Sequence, residues 1–170
     1  MKLPFDYIAG FVDGEGCFAL KFRRDFKKER INQPEYFHWG AEFAITLRAD
    51  DQKLLESIKN TLGYGHIYIM KDKEARYSIQ DIKILKEMIV PFFNQHRLYG
   101  KKWYDFRLWA EAIEILYRNK SERKNRINLH RGIQGFTRTQ WSGGDLERLK
   151  LLYNQMRPIK SKSKTWKWLK

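Results

Sequence analysis

The sequence predicts an α+β fold in which a four-stranded antiparallel sheet is covered by helices on one side only. Three observations predict it. Four short runs alternate apolar and polar residues with a period of two, the mark of half-buried strands. Stretches with helical spacing separate them in the order helix, two strands, helix, two strands, helices. Each alternating run also keeps one polar face, so helices are needed on the apolar side and the other face stays open.

Taken in order, Pro4 to Val12 reads as a short helix, with Pro4 and Asp6 suited to a helix start. From Cys17 to Arg23, Phe18, Leu20 and Phe22 form an apolar face, and Cys17, Ala19, Lys21 and Arg23 the other. Asp25 to Pro34 reads as a charged turn. The second strand sets Trp39, Ala41, Phe43, Ile45 and Leu47 against His38, Gly40, Glu42, Ala44 and Thr46. Asp50 is expected to cap a helix carrying Leu54, Leu55, Ile58 and Leu62, which Gly63 would close. His66 to Met70 and Arg76 to Gln80 then form a hairpin around Lys71-Asp72-Lys73-Glu74. A helix follows from Ile82 to Phe93, which Pro91 could end early. Trp103 to Tyr117 makes a stronger helix through Phe106, Trp109, Ala110, Ile113 and Leu116. Ser121 to Ser142 is basic and weakly periodic, so it reads as a loop or surface arm. Asp145 opens a last helix through Met156, before a tail rich in Lys, Ser and Trp.

The chain has 170 residues, enough for one domain with a core, and 42% hydrophobic and 15% aromatic residues argue for a folded protein. Lys and Arg number 34 against 20 Asp and Glu, a formal net charge of +14. That excess favours a polyanionic partner, because each phosphate neutralised by Lys or Arg releases condensed counterions. Anionic membranes or ribosomal RNA would satisfy the same charge; with the core and the aromatics, nucleic acid is the favoured partner. The single cysteine, Cys17, excludes an intrachain disulfide and a cysteine-based zinc site. His38, His66, His96 and His130 lack metal-ligand spacing. No apolar run approaches ~18 residues, and the N-terminus turns acidic at Asp6, so neither a membrane span nor a signal peptide is expected and the setting reads as intracellular.

The segment that carries chemistry is Tyr7-Ile8-Ala9-Gly10-Phe11-Val12-Asp13-Gly14-Glu15-Gly16. It reads as a helix whose last turn delivers two acids, Asp13 and Glu15. Gly10 and Gly14 lie four apart, on one helix face without side chains, where another helix could approach closely. A carboxylate at a helix C-terminus meets the negative end of the dipole, which is unfavourable unless a cation is present. A divalent metal would supply that charge.

Ile8 to Gly16 resembles the nine-residue LAGLIDADG motif of homing endonucleases, with Glu15 in place of the final Asp. The order of elements, Phe43 to Asp51, Leu62-Gly-Tyr-Gly-His66 and Leu98-Tyr-Gly-Lys-Lys102 are also similar to that family. The resemblance covers about residues 4–118 well and the C-terminal third loosely, as a basic helical extension of one domain. It implies the α-β-β-α-β-β-α fold with a saddle-shaped sheet, and site-specific, metal-dependent cleavage of double-stranded DNA. Glu15 would bind Mg2+ together with the carbonyl of Gly14, an oxygen-only site bridged to phosphate, with no other cofactor. Asp13 would tie down the helix end. The family often places a solvent-orienting Gln where Leu47 stands here, and Arg48 or Gln80 could substitute. A lysine that polarises the solvent would be Lys101 or Lys102.

DNA contacts are expected from the open sheet face, where Lys21, Arg23, His38, Glu42, Thr46, His66, Tyr68, Arg76, Ser78 and Gln80 fall by alternation. Arg and Lys would read guanine, Gln adenine, and Glu42 could accept from cytosine. Arg118, Arg123, Lys124, Arg126, Arg131 and Arg138 suit phosphate clamping. The motif occurs once, so two chains must pair for two strands to be cut. Gly10, Gly14, Ile8 and Phe11 are expected at the homodimer interface, and the target should be partly palindromic. An intron-splicing maturase or RNA-binding protein of the same fold, without DNA cleavage, is the alternative; the acid at position 15 leans against it. A basic ribosome-associated protein is a third option, which leaves the open polar face unexplained.

Overall fold

Ile8, Ala9 and Val12 recur at helical spacing, and their burial turns one side of the first helix inward. The computed structural model of the chain describes residues 2–26, 35–71, 73–124, 141 and 143–156. In chain order these form α1 (Phe5–Glu15), β1 (Gly16–Phe26), β2 (Glu35–Arg48), α2 (Gln52–Leu62), β3 (His66–Ile69), β4 (Glu74–Ile79), α3 (Ile82–Ile84), α4 (Val90–Gln95), α5 (Lys102–Lys124) and α6 (Asp145–Met156). A π turn, Leu85–Ile89, joins α3 to α4. The strands form one antiparallel sheet in the order β1-β2-β4-β3.

The alternation decides which residues enter the core. Phe18, Leu20, Ala41, Phe43, Ile45, Ala75, Tyr77 and Ile79 are buried on the helix side of the sheet. Phe18 is central there, with the rings of Phe43, Phe93, Phe106 and Trp109 at 5.1 to 5.5 Å. Truncating so enclosed a ring to Ala would cost about 3–5 kcal/mol. Leu149, Leu152 and Met156 of α6 join the same core as α1, and the C-terminal helix packs on α5 rather than standing apart. Asp145 at its start accepts from Arg118 Nη2 at 2.6 Å and Asn119 Nδ2 at 2.9 Å, fastening α6 to α5.

Some boundaries differ from the sequence reading. Asp50 does not cap α2; its carboxylate pairs with Arg48 at 2.8 Å, and a 3₁₀ turn over Ala49–Asp51 leads into the helix. Gly63 closes α2 with φ of 82°, the left-handed conformation that a side chain disfavours. Pro91 does not stop the helix. The turn before it widens to the π form, with Val90 N–H donating to the carbonyl of Leu85, and the proline then occupies the first turn of α4, where its missing N–H costs nothing. Lys102–Lys124 is longer than Trp103 to Tyr117, so Ser121 to Lys124 belong to α5. Most of the charged turn before Pro34, residues 125–140 and the tail after Met156 lie outside the described residues.

Candidate active site

α1 carries its two acids to the junction with β1, where helix and strand join without a loop. A Cβ at Gly16 would run into the Val12 side chain, so only glycine permits this junction. Glu15 is the last helical residue, is exposed, and has no hydrogen-bond or ion-pair partner among the described residues. Asp13 has a different task. Its Oδ2 accepts from the backbone N–H groups of Tyr99 and Gly100, both at 2.9 Å, tying the helix end to the segment before α5. A Cβ at Gly100 would stand 3.1 Å from Asp13 Oδ1, so a small residue there suits the approach.

That segment delivers a lysine. Lys102 Nζ donates to the carbonyls of Gly14 at 3.1 Å and Gly16 at 2.6 Å, the two that bracket Glu15. The cation needed at the negative end of α1 is therefore supplied, at least in part, by the chain itself. The sequence left Lys101 and Lys102 as equals; the fold brings Lys102 to the acidic end, and no hydrogen bond joins exposed Lys101 to α1. The Gly14 carbonyl keeps a second lone pair for a further partner.

The outer face of α1 corrects one expectation. Ile8 is fully buried in the core and cannot stand at a pairing surface; at 3.6 residues per turn it lies about 160° round the helix from Gly10. Gly10 and Gly14 are exposed, and a Cβ on either would meet nothing within 4 Å. Phe11 is half-buried and stacks on exposed Tyr7 with ring centroids 6.1 Å apart.

The strand register puts all ten candidate contact residues on one face. Arg23 pairs with His38, Thr46 with Arg76, His66 with Ser78 and Tyr68 with Arg76; Lys21 and Glu42 share their parity, and Gln80 follows Ser78 by two. Glu42 does not behave as an outward reader. It is 1% exposed, and Lys21, Arg76, Ser78 and Gln80 all donate to its carboxylate from within the protein. Burial alone pushes this carboxyl up; the hydrogen bonds from Ser78, Lys21 and Arg76 outweigh it and hold it at about 2. Its role as the centre of a network was missed because alternation assigns a face, not a depth. Leu47 packs half-buried on the opposite, core side. Neither suggested substitute is free: Gln80 is bonded to Glu42, and Arg48 to Asp50. Arg118, expected to clamp phosphate, pairs with Asp145 through Nε and Nη2. Arg126, Arg131 and Arg138 lie outside the described residues, as do the side chains of Arg123 and Lys124.

A family described as LAGLIDADG endonuclease matches residues 8–113, from the first turns of α1 into α5. The chain belongs to this LAGLIDADG endonuclease family. The matched span contains Glu15, Lys102 and the whole described sheet face from Lys21 to Gln80, whereas α6 falls beyond it. The chain is 30% identical over 113 residues to the probable intron-encoded endonuclease Cox1-I1b of Schizosaccharomyces pombe, covering 65% of this chain and 27% of that protein. It is 32% identical over 111 residues to probable intron-encoded endonuclease 3 of Neurospora crassa, covering 65% of this chain and 20% of that protein. The chain thus spans about a quarter of the length of these relatives. Among solved structures, the homing endonuclease I-TnaI superposes with a TM-score of 0.69 at 23% identity, covering 92% of this chain and 89% of that one. I-SmaMI bound to uncleaved DNA with calcium ions superposes with a TM-score of 0.73 at 22% identity, covering 99% of this chain and 48% of that one. These likenesses establish the fold, an antiparallel sheet and its helical layer.

Proposed function

We propose that this chain is a site-specific DNA endonuclease of the homing type, which hydrolyses phosphodiester bonds at the C-terminal end of α1 with the help of a divalent metal ion. The observation that carries the reading is Glu15, an exposed carboxylate with no hydrogen-bond or ion-pair partner among the described residues, bracketed by carbonyls that Lys102 holds. A structural cap would be paired, as Asp13 is.

The donors fit a hard cation. No group of three or more His, Cys, Asp or Glu gathers among the described residues, so the protein offers one carboxylate and nearby carbonyls. Mg2+ accepts such a partial set, because it keeps several waters and binds through one or two carboxylates plus phosphate oxygens. When bound through Glu15 and the Gly14 carbonyl, the ion would supply charge stabilisation for the leaving oxygen. Calcium accompanies uncleaved DNA in the similar I-SmaMI structure. The chain's own part is positional: Asp13 fixes the segment that presents Lys102, and Lys102 neutralises the helix end beside the reacting phosphate.

DNA would lie along the polar sheet face, with Lys21, Arg23, His38, Thr46, His66, Tyr68, Arg76 and Gln80 toward the bases; sheets of this kind can enter the major groove. Ser78, expected from the alternation to join them, is buried and donates to Glu42 instead. Cutting both strands needs a second α1, and open Gly10 and Gly14 suit close packing against it in a homodimer. Incubation with a random-insert plasmid library, with Mg2+ or with chelator, tests the reading. Metal-dependent breaks clustered at one sequence motif are expected; RNA binding without DNA cleavage would favour a splicing role for the fold.

A further inference from the structure

Glu42 lies on the face assigned to DNA, yet it is an acid in a chain of net charge +14 and is buried there. Both features are costly beside phosphate: desolvation of the carboxylate, and repulsion of the backbone it faces. Neither cost would be repaid by affinity. The arrangement around it shows what it does instead. Four side chains converge on it: Lys21 Nζ from β1 at 2.9 Å, Arg76 Nη2 and Ser78 Oγ from β4 at 2.6 Å each, and Gln80 Nε2 just after β4 at 2.9 Å. Arg76 is held at a second point, Nη1 donating to Thr46 Oγ1 at 2.9 Å.

Two of the five N–H donors of the Arg76 guanidinium are thus committed inside the protein, and among the described residues no side chain takes the rest of the rigid fork, which can meet a ligand. Gln80 is anchored through its amide nitrogen, which also fixes the direction of its carbonyl. Arg and Gln are the side chains that read guanine and adenine through paired hydrogen bonds, and such pairs depend on orientation. We infer that Glu42 is a positioning residue for base readout, which orients Arg76 and Gln80 before DNA arrives. This rests on the DNA-cleaving function proposed above. Glu42 sets specificity through its neighbours and itself contacts no base.

The test is selection from a library of randomised target sites by wild type, Glu42→Gln, Arg76→Ala and the double variant. Loss of preference in Arg76→Ala first marks the base pairs that Arg76 reads. At those pairs Glu42→Gln is expected to lower discrimination about tenfold, within the range one bidentate pair supplies. Affinity for unrelated DNA should hold or rise, since a negative charge is removed. In the Arg76→Ala background, Glu42→Gln should add nothing at the same pairs, which a merely structural role would not produce. If Glu42→Gln does not fold, Glu42→Asp keeps the charge but withdraws it by one methylene, and is read in the same way. A folded variant with unchanged preference, an equal loss at every position, or a full additional loss without Arg76 overturns the inference. A wild type with no base preference anywhere defeats the endonuclease reading, and the inference with it.

Discussion

The ammonium of Lys102, in the first turn of α5, donates to the carbonyl of Gly16 at 2.6 Å, so a residue 86 positions away holds the strand that leaves the acidic helix end. It therefore has both a structural and an electrostatic part. Lys102→Met should lower stability by about 1.5–3 kcal/mol, the worth of a hydrogen bond that involves a charged group. Cutting should also fall, roughly 100-fold or more, because a fixed charge beside the reacting phosphate is lost. Lys101→Met should leave both nearly unchanged. Thermal melts and single-turnover cleavage of the two variants check the contrast.

Asp13 can be tested without touching a proposed metal ligand. Replacing it by Ala removes the acceptor of the exposed N–H groups of Tyr99 and Gly100, which water can then reach, so the cost is about 0.5–1.5 kcal/mol per bond. The segment carrying Lys102 should loosen, and cleavage should fall while metal affinity stays. Hydrogen exchange at Tyr99 and Gly100 should become faster; unchanged protection would contradict the tether.

Glu42 makes stability depend on acid. Its carboxyl is held at about 2 in the folded chain, against an ordinary value of 4.5. A depressed value means that its contribution is complete above about 4.5, and is lost as pH falls from there through about 2. Wild type should lose stability across that window more steeply than Glu42→Gln, whose amide has no such proton to bind. Denaturant midpoints measured from pH 5 to about 2.5 check it.

Pairing through α1 places its demand on Gly10. A Cβ there meets nothing within the chain, so Gly10→Leu should leave the single fold intact, with a melting temperature close to that of wild type. A second α1 could no longer approach closely, so the variant should sediment as a monomer and nick or ignore its target. Wild type should sediment as a pair on DNA. A wild-type monomer that still makes double-strand breaks would contradict the pairing.

Much of this was legible in the chain. Period-two alternation put Arg23, His38, Thr46 and Arg76 on one face, because side chains of a strand can point only two ways, and the register sets Arg23 opposite His38 and Thr46 opposite Arg76. The acids were found through the glycines around them, and Asp13 and Glu15 separate as a tether and a carboxylate without a partner among the described residues. What alternation could not supply was depth and partnership. Glu42 and His38 share a parity, yet one is buried under donors from β1 and β4 and the other is exposed. Lys102 could not be told from Lys101, since only the approach of α5 to α1 separates them. Ile8 went astray because nearness to Gly10 in sequence is not nearness on a helix.

The central claim is that the carboxylate of Glu15, which has no partner among the described residues, is the acid on which cleavage depends. Glu15→Gln keeps the size and the helix end but removes the charge that would hold a divalent ion. Cleavage of a selected target in Mg2+ should be measured for this variant and for wild type, alongside binding to the same DNA in calcium. The expected result is a loss of cutting by roughly a thousandfold or more with binding preserved. Cutting at the wild-type rate by Glu15→Gln would contradict it.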